Sequence, residues 1–454
     1  MSDDRNLLPH IPVGPNSLLS RRRLLQAGGA VAGGLALSRI TRAGAQQPPP
    51  APNELVPPPD PPWSAQGVPF TTQGIRSPYV EIQRAYSGGD SPNVTRQTAG
   101  SNFAPLQDLD GIITPSDLHF QRNHSGTTII DPAEHQVLVH GMVDRPKVYS
   151  MDDIKRFPRR TEIHFLECSG NSGAGYSGPS PDTTAQLMHG LTSTSEWGGV
   201  PMTTIMQDVG VQEGAEWALF EGADASRMDR SVPRSKLEDD AMLVYIQNGE
   251  PIRPEQGFPL RLLLPGWEGN TQIKWLRRIE FGSGPFYTKE ETRHYTDALP
   301  DGQSRQFTYE MEVKSLITWP SAGHQVPAPG FWEINGIAWS GFGTITGVEV
   351  SVDGGNSWGP AELMQPVLPK AHVRFRFPWV WDGTPRVIMS RATDDTGYTQ
   401  PARQRLLDIR GTQYIYHFDA IQPWLVDADG AVTNAMGQSA SDLPSDTQIS
   451  EEYL

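Results

Sequence analysis

The chain contains a single cysteine, Cys168, and the residues around it indicate that the thiol is used. It ends an extended apolar run, Ile163–Cys168, and is followed by the small polar residues Ser169-Gly170-Asn171. One cysteine cannot form an internal disulfide or supply a zinc cluster, an iron–sulfur centre or a Cys-x-x-Cys-His haem attachment. Three roles remain: a buried inert thiol, a nucleophile, or one thiolate ligand to a metal held mostly by another group. The polar residues that follow argue against burial in a core.

The N-terminal segment predicts export of the folded protein. Arg21-Arg22-Arg23 precedes an Ala/Gly/Leu/Val run from Ala27 to Leu37, and Ala43-Gly44-Ala45 offers a small-residue cleavage site. This pattern is typical of a twin-arginine signal peptide over residues 1–45, which directs a folded protein, often with its cofactor inserted, to the periplasm. Because the apolar run is about half of the roughly 20 residues that span a bilayer, we expect no permanent membrane anchor.

Length and charge limit the function classes. The 454 residues suffice for two domains with full cores, and 41 prolines and 45 glycines favour many short elements joined by turns. The formal net charge of −15 disfavours binding to nucleic acid and to anionic membranes, and it favours a basic protein partner.

The spacing of apolar residues predicts an α+β fold. Before about residue 310, short strands and short helices alternate without the long crossover helices of a doubly wound fold. After Leu316 the chain turns to strands, and four of them at short intervals favour an immunoglobulin-like sandwich: Phe331–Trp339, Gly347–Val352, Val373–Phe377 and Val387–Thr393.

Composition shifts divide the chain into five regions. The last one is acidic and rich in Ser and Asp, so we expect it to wrap a neighbour or to stay mobile. The regions are a signal peptide at 1–45, a proline-rich linker and N-terminal extension at 46–100, a catalytic domain at 101–310, the sandwich at 311–412 and the acidic C-terminal tail at 413–454.

Three sequence blocks in fixed order resemble the molybdopterin-dependent sulfite oxidase family. They are Arg122-Asn123-His124, then Glu167-Cys168-Ser169-Gly170-Asn171, then Gly257-Phe258-Pro259-Leu260-Arg261 with Lys274-Trp275-Leu276 downstream. The segment Ser351–Trp358 is similar to part of that family's dimerisation domain, so the resemblance extends over about Gly111 to Arg410. It implies a molybdopterin-binding catalytic domain followed by an all-β, immunoglobulin-like dimerisation domain.

The resemblance implies that Cys168 is the one protein thiolate on a molybdenum carried by a single molybdopterin. A soft thiolate suits a metal that is already held by sulfur. The same resemblance places Arg122 at the substrate oxyanion and Asn123 and His124 closer to the pterin. From residue type alone, Arg122 could equally form a surface ion pair and His124 a core hydrogen bond.

The remaining residues of the blocks are assigned to the cofactor in the same way. Ser169, Gly170 and Asn171 complete the cysteine block, and Asn171 would hydrogen-bond near the pterin or the metal. Lys274 would reach the pterin phosphate. The alternatives are that Asn171 only shapes the turn and that Lys274 is solvated.

The chain departs from the family pattern directly after Asn171. Family members that act on free sulfite have two arginines there, one of which helps to clamp the dianion, whereas this chain has Ser172 and Gly173. The glycine-rich stretch Ser172–Pro179 predicts a small and flexible entrance that admits a larger substrate. The alternative is an ordinary surface loop.

A second departure concerns a tyrosine of the family's pocket. The corresponding region of this chain offers Met228, with Arg227 and Arg230 on either side. We expect Arg227 or Arg230 to supply a compensating positive charge. A basic residue of the second domain, Lys370 or Arg374, would also reach the pocket, as one does in the family.

These departures resemble the branch of the family that oxidises sulfane sulfur on a carrier-protein cysteine and passes the electrons to a dihaem c-type cytochrome. The haem would lie on that partner subunit only, since this chain has one cysteine, and the assembly would be a homodimer of heterodimers. Three alternatives remain: a free-sulfite dehydrogenase with a cytochrome acceptor, a sulfoxide reductase, and an exported binding protein without catalytic activity.

Overall fold

The computed structural model describes residue 72 and residues 74–86, 99–444, 447 and 449–454. Residues Ser77–Leu454 form one compact unit, and Met1–Arg76 fall in another, of which only positions 72 and 74–76 are described. The predicted signal peptide and most of the predicted linker therefore lie outside the described residues. In the described part of the chain, no helix has the length and apolarity needed to cross a bilayer.

The first half of the unit is built from sheets of short strands. One sheet has the order β5-β4-β13-β8-β9, a second has the order β11-β10-β7-β6 with β12 pairing β10, and a third has the order β1-β2-β3. The strands are β1 (Ala85–Tyr86), β2 (Gly100–Phe103), β3 (Gln121–Asn123), β4 (Gln136–Gly141), β5 (Lys147–Ser150), β6 (Arg160–Glu167), β7 (Thr192–Pro201), β8 (Trp217–Gly222), β9 (Asp229–Pro233), β10 (Met242–Gln247), β11 (Glu250–Pro251), β12 (Arg261–Leu263), β13 (Leu276–Gly282), β14 (Asp297–Ala298) and β15 (Ser304–Arg305).

The helices are short and lie between these strands. They are α1 (Met151–Lys155), α2 (Ala185–His189), α3 (Met202–Val209), α4 (Arg234–Asp239), α5 (Lys289–Thr292) and, near the C-terminus, α6 (Arg403–Arg410). Single 3₁₀ turns occupy Leu106–Asp108, Gly173–Tyr176, Pro254–Gln256, Gly269–Thr271, Ala440–Asp442 and Glu451–Tyr453. The predicted α+β class is confirmed, because the helices of the described residues are only four to eight residues long, shorter than the crossover helices of a doubly wound fold.

The second half is a β-sandwich. Its two sheets have the orders β16-β17-β21-β20 and β19-β18-β22-β23-β24, and their pairings are antiparallel. The strands are β16 (Lys314–Trp319), β17 (Gly330–Trp339), β18 (Ile345–Ser351), β19 (Gly359–Pro360), β20 (Glu362–Leu363), β21 (Val373–Trp381), β22 (Arg386–Asp394), β23 (Trp424–Val426) and β24 (Val432–Asn434). Each of the four predicted strands is present, and the predicted sandwich is confirmed.

The C-terminal segment differs from the mobile or neighbour-wrapping tail that its composition predicted. Trp424–Val426 pairs with β22, and Val432–Asn434 pairs with Trp424–Val426, so the sandwich continues past the predicted end at residue 412. Trp424 and Val426 are fully buried. The acidic residues around these short apolar strands dominate the average composition and hide them.

The two halves share one hydrophobic core. Phe165 and Trp197 of the catalytic sheet are in the same buried cluster as Trp339 and Phe375 of the sandwich. The backbone N–H of Phe165 also donates to the carbonyl of Lys370 at 2.9 Å. Strand β6 is thus fixed against the sandwich, and the residue after its last position, Cys168, has a rigid support.

Candidate active site

Cys168 lies in a tight turn at the end of β6. The N–H of Asn171 donates to the carbonyl of Cys168 at 2.9 Å and closes the turn. Ser172 follows in the left-handed region with φ 66°, a conformation that non-glycine residues rarely adopt. Cys168 is half buried and lines a cavity on one side of the turn.

The glycine-rich stretch after the turn faces away from this cavity. A Cβ atom on Gly173 would lie 2.6 Å from the carbonyl oxygen of Ile415, and one on Gly175 would lie 2.2 Å from the ring of Phe418. Both positions need glycine because the C-terminal segment packs directly on them. The structure thus differs from the predicted flexible entrance: Gly173–Tyr176 is a 3₁₀ turn held under that segment.

The cavity has a volume of about 720 Å³, including its open mouth. Its wall is formed by β3 and the residues on either side of it, by the end of β6 and the turn after it, by the Gly269–Thr271 turn with residues 272–275, and by isolated side chains from other segments. The lining residues with polar side chains are Arg122, Asn123, His124, Cys168, Asp224, Gln256, Arg261, Asn270, Gln272, Lys274, Trp275 and Tyr295.

Three cations line this cavity without a carboxylate partner. Within the described residues, Arg122, Arg261 and Lys274 form no ion pair with Asp or Glu; they contact neutral oxygens instead. Arg261 donates to the carbonyls of Gln256 at 3.1 Å and Gln272 at 3.2 Å. Lys274 Nζ donates to the carbonyls of Arg122 at 3.1 Å and Glu255 at 3.0 Å. Arg261 is buried and the other two cations are half-buried, and cations that are shielded from water with only neutral partners are suited to bind an anion.

The protonation of Lys274 reflects the same shortage of negative charge. Burial, with a further contribution from Arg261, lowers the pKa of Lys274 from 10.5 to about 7. Burial lowers the pKa of Arg261 to about 9. A bound anion would raise the pKa of both side chains and would keep Lys274 protonated at neutral pH, because an opposite charge favours the protonated form.

The thiol of Cys168 faces opposing influences. Burial raises its pKa, while the Gly170 N–H and Arg122 lower it and the carboxylates of Glu268 and Glu167 raise it further. A thiol whose pKa is raised by burial is a poor free nucleophile. A metal ion would reverse this balance, since coordination favours the thiolate.

A histidine and a tyrosine meet on the cavity wall. The hydroxyl of Tyr295 lies 3.0 Å from His124 Nε2. Burial lowers the pKa of His124 and raises that of Tyr295 well above 10, so both side chains are neutral at neutral pH. Sequence motifs did not identify Tyr295: it lies in a left-handed backbone position, φ 46°, in the connection between α5 and β14, far from the family's blocks.

The predicted cofactor-binding residues fall into two groups. Asn123, His124, Cys168 and Lys274 come together on the cavity wall. Ser169, Gly170 and Asn171 lie in the adjoining turn, where Ser169 Oγ accepts a hydrogen bond from Asn270 at 3.0 Å. The side chain of Asn171 donates to Glu167 Oε1 at 2.9 Å and accepts from the N–H of Leu191 at 3.1 Å, so it shapes the turn.

The two arginines that flank Met228 are not among the lining residues. Met228 itself lines the cavity. Arg230 is buried, lies 3.1 Å from Glu268 Oε1, and also contacts Glu291 and the amide of Asn270. Arg227 has a left-handed backbone, φ 47°, and its N–H donates to the carbonyl of Asp224 at 2.9 Å. Arg230 is thus one layer behind the wall, with its charge already compensated.

The structure does not bring the second-domain cations to the cavity. Lys370 Nζ lies 2.6 Å from Asp240 Oδ2. Arg374 donates to the carbonyls of Gly111, at 2.7 Å, and Leu109. Neither side chain lines the cavity. The sandwich domain contributes to the site from behind the cysteine turn instead.

The donor set fits a molybdopterin. Among the described residues, no three His, Cys, Asp or Glu side chains converge so that they could hold a metal ion. A metal at Cys168 would therefore take its other ligands from a cofactor, as a dithiolene-bound molybdenum does. The buried cations Arg261 and Lys274 provide the anion site that a pterin phosphate requires.

Comparisons with known proteins support a molybdopterin-dependent protein. Residues 124–289 match the family model described as oxidoreductase molybdopterin binding domain, and residues 305–423 match the Mo-co oxidoreductase dimerisation domain. Sulfite oxidase of Gallus gallus is 29% identical over 331 residues, which cover 66% of this chain and 71% of that protein. NADH nitrate reductase 2 of Phaseolus vulgaris is 31% identical over 61% of this chain, which spans only 35% of that longer protein.

A solved structure extends the likeness over nearly the whole described part of the chain. The crystal structure of the sulfane dehydrogenase SoxCD from Paracoccus pantotrophus aligns with a TM-score of 0.77 at 38% sequence identity. The alignment covers 82% of this chain and 96% of that one. From the two family models and this likeness, the chain belongs to the sulfite oxidase family of molybdopterin-dependent oxidoreductases.

Proposed function

We propose that this chain is the molybdenum subunit of a sulfane dehydrogenase. It oxidises a sulfane sulfur held on the cysteine of a carrier protein and passes the electrons to a c-type cytochrome. The observation that carries the proposal is that this chain has Ser172 and Gly173 where family members that act on free sulfite have two arginines, one of which helps to clamp the dianion, so these two positions supply no cation for free sulfite. The 38% identity to a sulfane dehydrogenase over 96% of that chain supports it.

The charge of the substrate explains why the clamp is dispensable. Free sulfite is a small dianion, and its binding gains from two nearby cations. A sulfur on the end of a carrier arm has lower charge and is positioned by the carrier protein as well. Each charge-assisted hydrogen bond contributes about 1.5–3 kcal/mol, and a tethered substrate recovers this free energy through its protein–protein contacts.

The residues of the cavity wall have different roles in cofactor binding and in catalysis. When bound, the molybdenum cofactor supplies the two-electron oxidation and oxygen-atom transfer. Cys168 anchors the metal, and Lys274 and Arg261 bind the cofactor phosphate. Arg122 faces the oxyanion that develops on sulfur. The neutral phenol of Tyr295, oriented by His124, donates a hydrogen bond to the same oxygen.

The electrons leave to another polypeptide. With one cysteine, this chain has no Cys-x-x-Cys-His attachment for a c-type haem, so the haem belongs to the cytochrome partner. The net charge of −15 favours a basic docking face on that partner. The dimerisation domain provides for a homodimer of such heterodimers. The predicted twin-arginine signal places the assembly in the periplasm.

The test compares two substrates on the same purified protein. Cytochrome c reduction is measured with a persulfide-loaded carrier protein and with free sulfite, and molybdenum is determined per chain. We expect one molybdenum per chain and faster reduction with the loaded carrier. Faster turnover of free sulfite would instead identify a sulfite dehydrogenase. Protein without molybdenum would refute an enzymatic role at this cavity.

A further inference from the structure

The turn that carries Cys168 has a second face, which points away from the cavity. That face receives a buried lysine from the other domain. Lys314, the first residue of β16, has only 2% of its surface exposed. Its ammonium lies 2.7 Å from Ser172 Oγ and 3.3 Å from Glu167 Oε1. One cation of the sandwich thus contacts both ends of the turn, one residue before Cys168 and four residues after it.

Glu167 needs this cation. Its side chain is 1% exposed, and its two oxygens accept hydrogen bonds from Trp339 Nε1 at 2.6 Å and from the Asn171 amide at 2.9 Å. Those donors are neutral, and among the described residues Lys314 is the cation paired with this carboxylate. A buried carboxylate without a counter-ion is strongly destabilised.

The hydrogen bonds of the Ser172 side chain have a defined donor and acceptor at each step. Burial lowers the pKa of His189 well below 6.5, so its ring is neutral. Its Nε2 lies 3.0 Å from the acceptor Gln422 Oε1, which places the ring proton there. The other nitrogen, Nδ1, therefore accepts from the Ser172 hydroxyl at 2.7 Å. That hydroxyl in turn accepts from Lys314, so its position is fixed from two sides.

Several partners of this turn come from outside the catalytic domain. Lys314 and Trp339 belong to the sandwich, and Gln422 belongs to the segment that leads into β23. The backbone N–H of His417 adds a hydrogen bond to the carbonyl of Ser169 at 2.8 Å. The turn of Cys168 is therefore held by the dimerisation domain and by the residues that follow it.

We infer that Lys314 is a positioning residue for the metal site: its ammonium compensates the charge of Glu167 and anchors Ser172, so that the sandwich domain sets the charge around the Cys168 thiolate and the position of that thiolate. The inference rests on the proposed ligation of molybdenum by Cys168. An uncompensated carboxylate beside the thiolate stabilises the more oxidised metal, because a negative charge favours a higher positive charge.

The test uses Lys314→Met, Glu167→Gln and the double variant as purified holoproteins. The readouts are molybdenum per chain and the midpoint potential of the metal, followed by its electron paramagnetic resonance signal. We expect Lys314→Met to shift the potential downward and Glu167→Gln to shift it upward. The double variant should return toward the wild-type value, since its pair is again neutral. Loss of molybdenum from a folded Lys314→Met protein would also support the positioning role.

The control is a second buried lysine with matched surroundings. The Lys236 ammonium lies 2.7 Å from Asp240 and 5.3 Å from the ring of Trp267. The Lys314 ammonium has the same kinds of neighbour, with Glu167 at 3.3 Å and the ring of Trp339 at 5.7 Å. Lys236→Met should lower the melting temperature and leave the potential unchanged. If Lys314→Met does the same, Lys314 serves stability alone and the inference is overturned.

Two further outcomes keep the inference separate from the proposed function. If Lys314→Met does not fold, Glu167→Gln decides, and an unchanged potential in that variant overturns the inference. Wild-type protein without molybdenum would refute the ligation by Cys168 itself. A wild-type enzyme that prefers free sulfite would change the proposed substrate, but it would leave the potentials of the variants as the test of Lys314.

Discussion

The two faces of the turn that carries Cys168 differ in whether their charged side chains have partners of opposite charge. On the cavity face, Arg122, Arg261 and Lys274 contact neutral oxygens and have no carboxylate partner among the described residues. On the opposite face of the turn Lys314 is paired with Glu167, and among other buried cations that do not line the cavity Arg230 is paired with Glu268 and Arg410 with Glu312. Both faces are buried, so burial alone does not distinguish a binding site from a structural network.

This difference in charge pairing indicates which surface binds a ligand. Paired buried charges satisfy one another, and their role is to hold the turn in place. Unpaired buried cations are destabilised until an anion arrives, so they mark the surface that a cofactor and a substrate complete. Arg230 and Lys370, which the resemblance to the family made candidates for the pocket, belong to the paired group.

The largest effect should come from removing the thiol. Cys168→Ser replaces a soft ligand with a hydroxyl, and we expect turnover to fall by at least about 100-fold. The melting temperature should stay close to that of the wild type, because the side chain is half buried and similar in size. Activity assays and thermal unfolding monitored by circular dichroism measure the two effects. Turnover retained by Cys168→Ser would exclude ligation by the thiolate.

Removing an unpaired cation should weaken binding of the cofactor, whereas removing a paired cation should leave this binding unchanged. Lys274→Met deletes a charge-assisted contact worth about 1.5–3 kcal/mol, so we expect roughly 10- to 150-fold weaker retention of the cofactor. Molybdenum content after dialysis measures it. Lys370→Met is the matched control, and its molybdenum content should equal that of the wild type. Equal losses in both variants would contradict the distinction between the two faces.

A smaller effect is expected at the phenol on the wall. Tyr295→Phe removes one neutral hydrogen-bond donor and keeps the ring, so turnover should fall about 10-fold, corresponding to about 1.4 kcal/mol. The Michaelis constant for the carrier should change little. Tyr416→Phe serves as the control, because its ring packs against that of Tyr295, with 5.2 Å between the ring centroids, without lining the cavity. Steady-state kinetics with the loaded carrier measure both variants. Equal turnover of Tyr295→Phe and Tyr416→Phe would contradict the role of the Tyr295 hydroxyl.

The smallest effect concerns the pH dependence of the stability that the buried ion pairs of His417 contribute. Burial opposes a charge on His417, but Glu312 and Glu268 outweigh it and raise its pKa from 6.5 to about 10. A base whose pKa is raised by folding contributes stability that is complete below pH 6.5 and is lost as the pH rises through about 10. The difference in melting temperature between wild type and His417→Gln should therefore be largest near pH 6 and shrink toward pH 10. A difference that stays constant over this range would contradict the assignment.

Much of the fold followed from local patterns. Alternating apolar residues predicted the strands of the sandwich, and the structure places each of them within three residues at the start and four at the end. The apolar run that stops at Ser169-Gly170 predicted a strand followed by a turn, which is β6 and its turn. The pairing of Trp424–Val426 with β22 could not be predicted, because a three-residue strand has too little periodicity of its own.

The candidate site divides in the same way. Arg122, Asn123, His124 and Lys274 were identified from their blocks, and the structure brings them together with Cys168 on one wall. Tyr295 was missed, because it lies outside those blocks and reaches the wall only through the chain path between α5 and β14. The glycine-rich stretch was misplaced, because its composition suggested flexibility while its glycines are there for close packing.

The sequence by itself determined the chemistry available to this protein: one thiol in the chain, the blocks around it, the α+β class and the sandwich. Only the tertiary structure decided which charges are paired. The reason is physical, since the free energy of a buried charge depends on the groups within a few ångströms of it, and those groups come from distant parts of the chain. Lys314 is a buried lysine and Lys274 is a half-buried one, yet the first contacts Glu167 and the second contacts carbonyl oxygens.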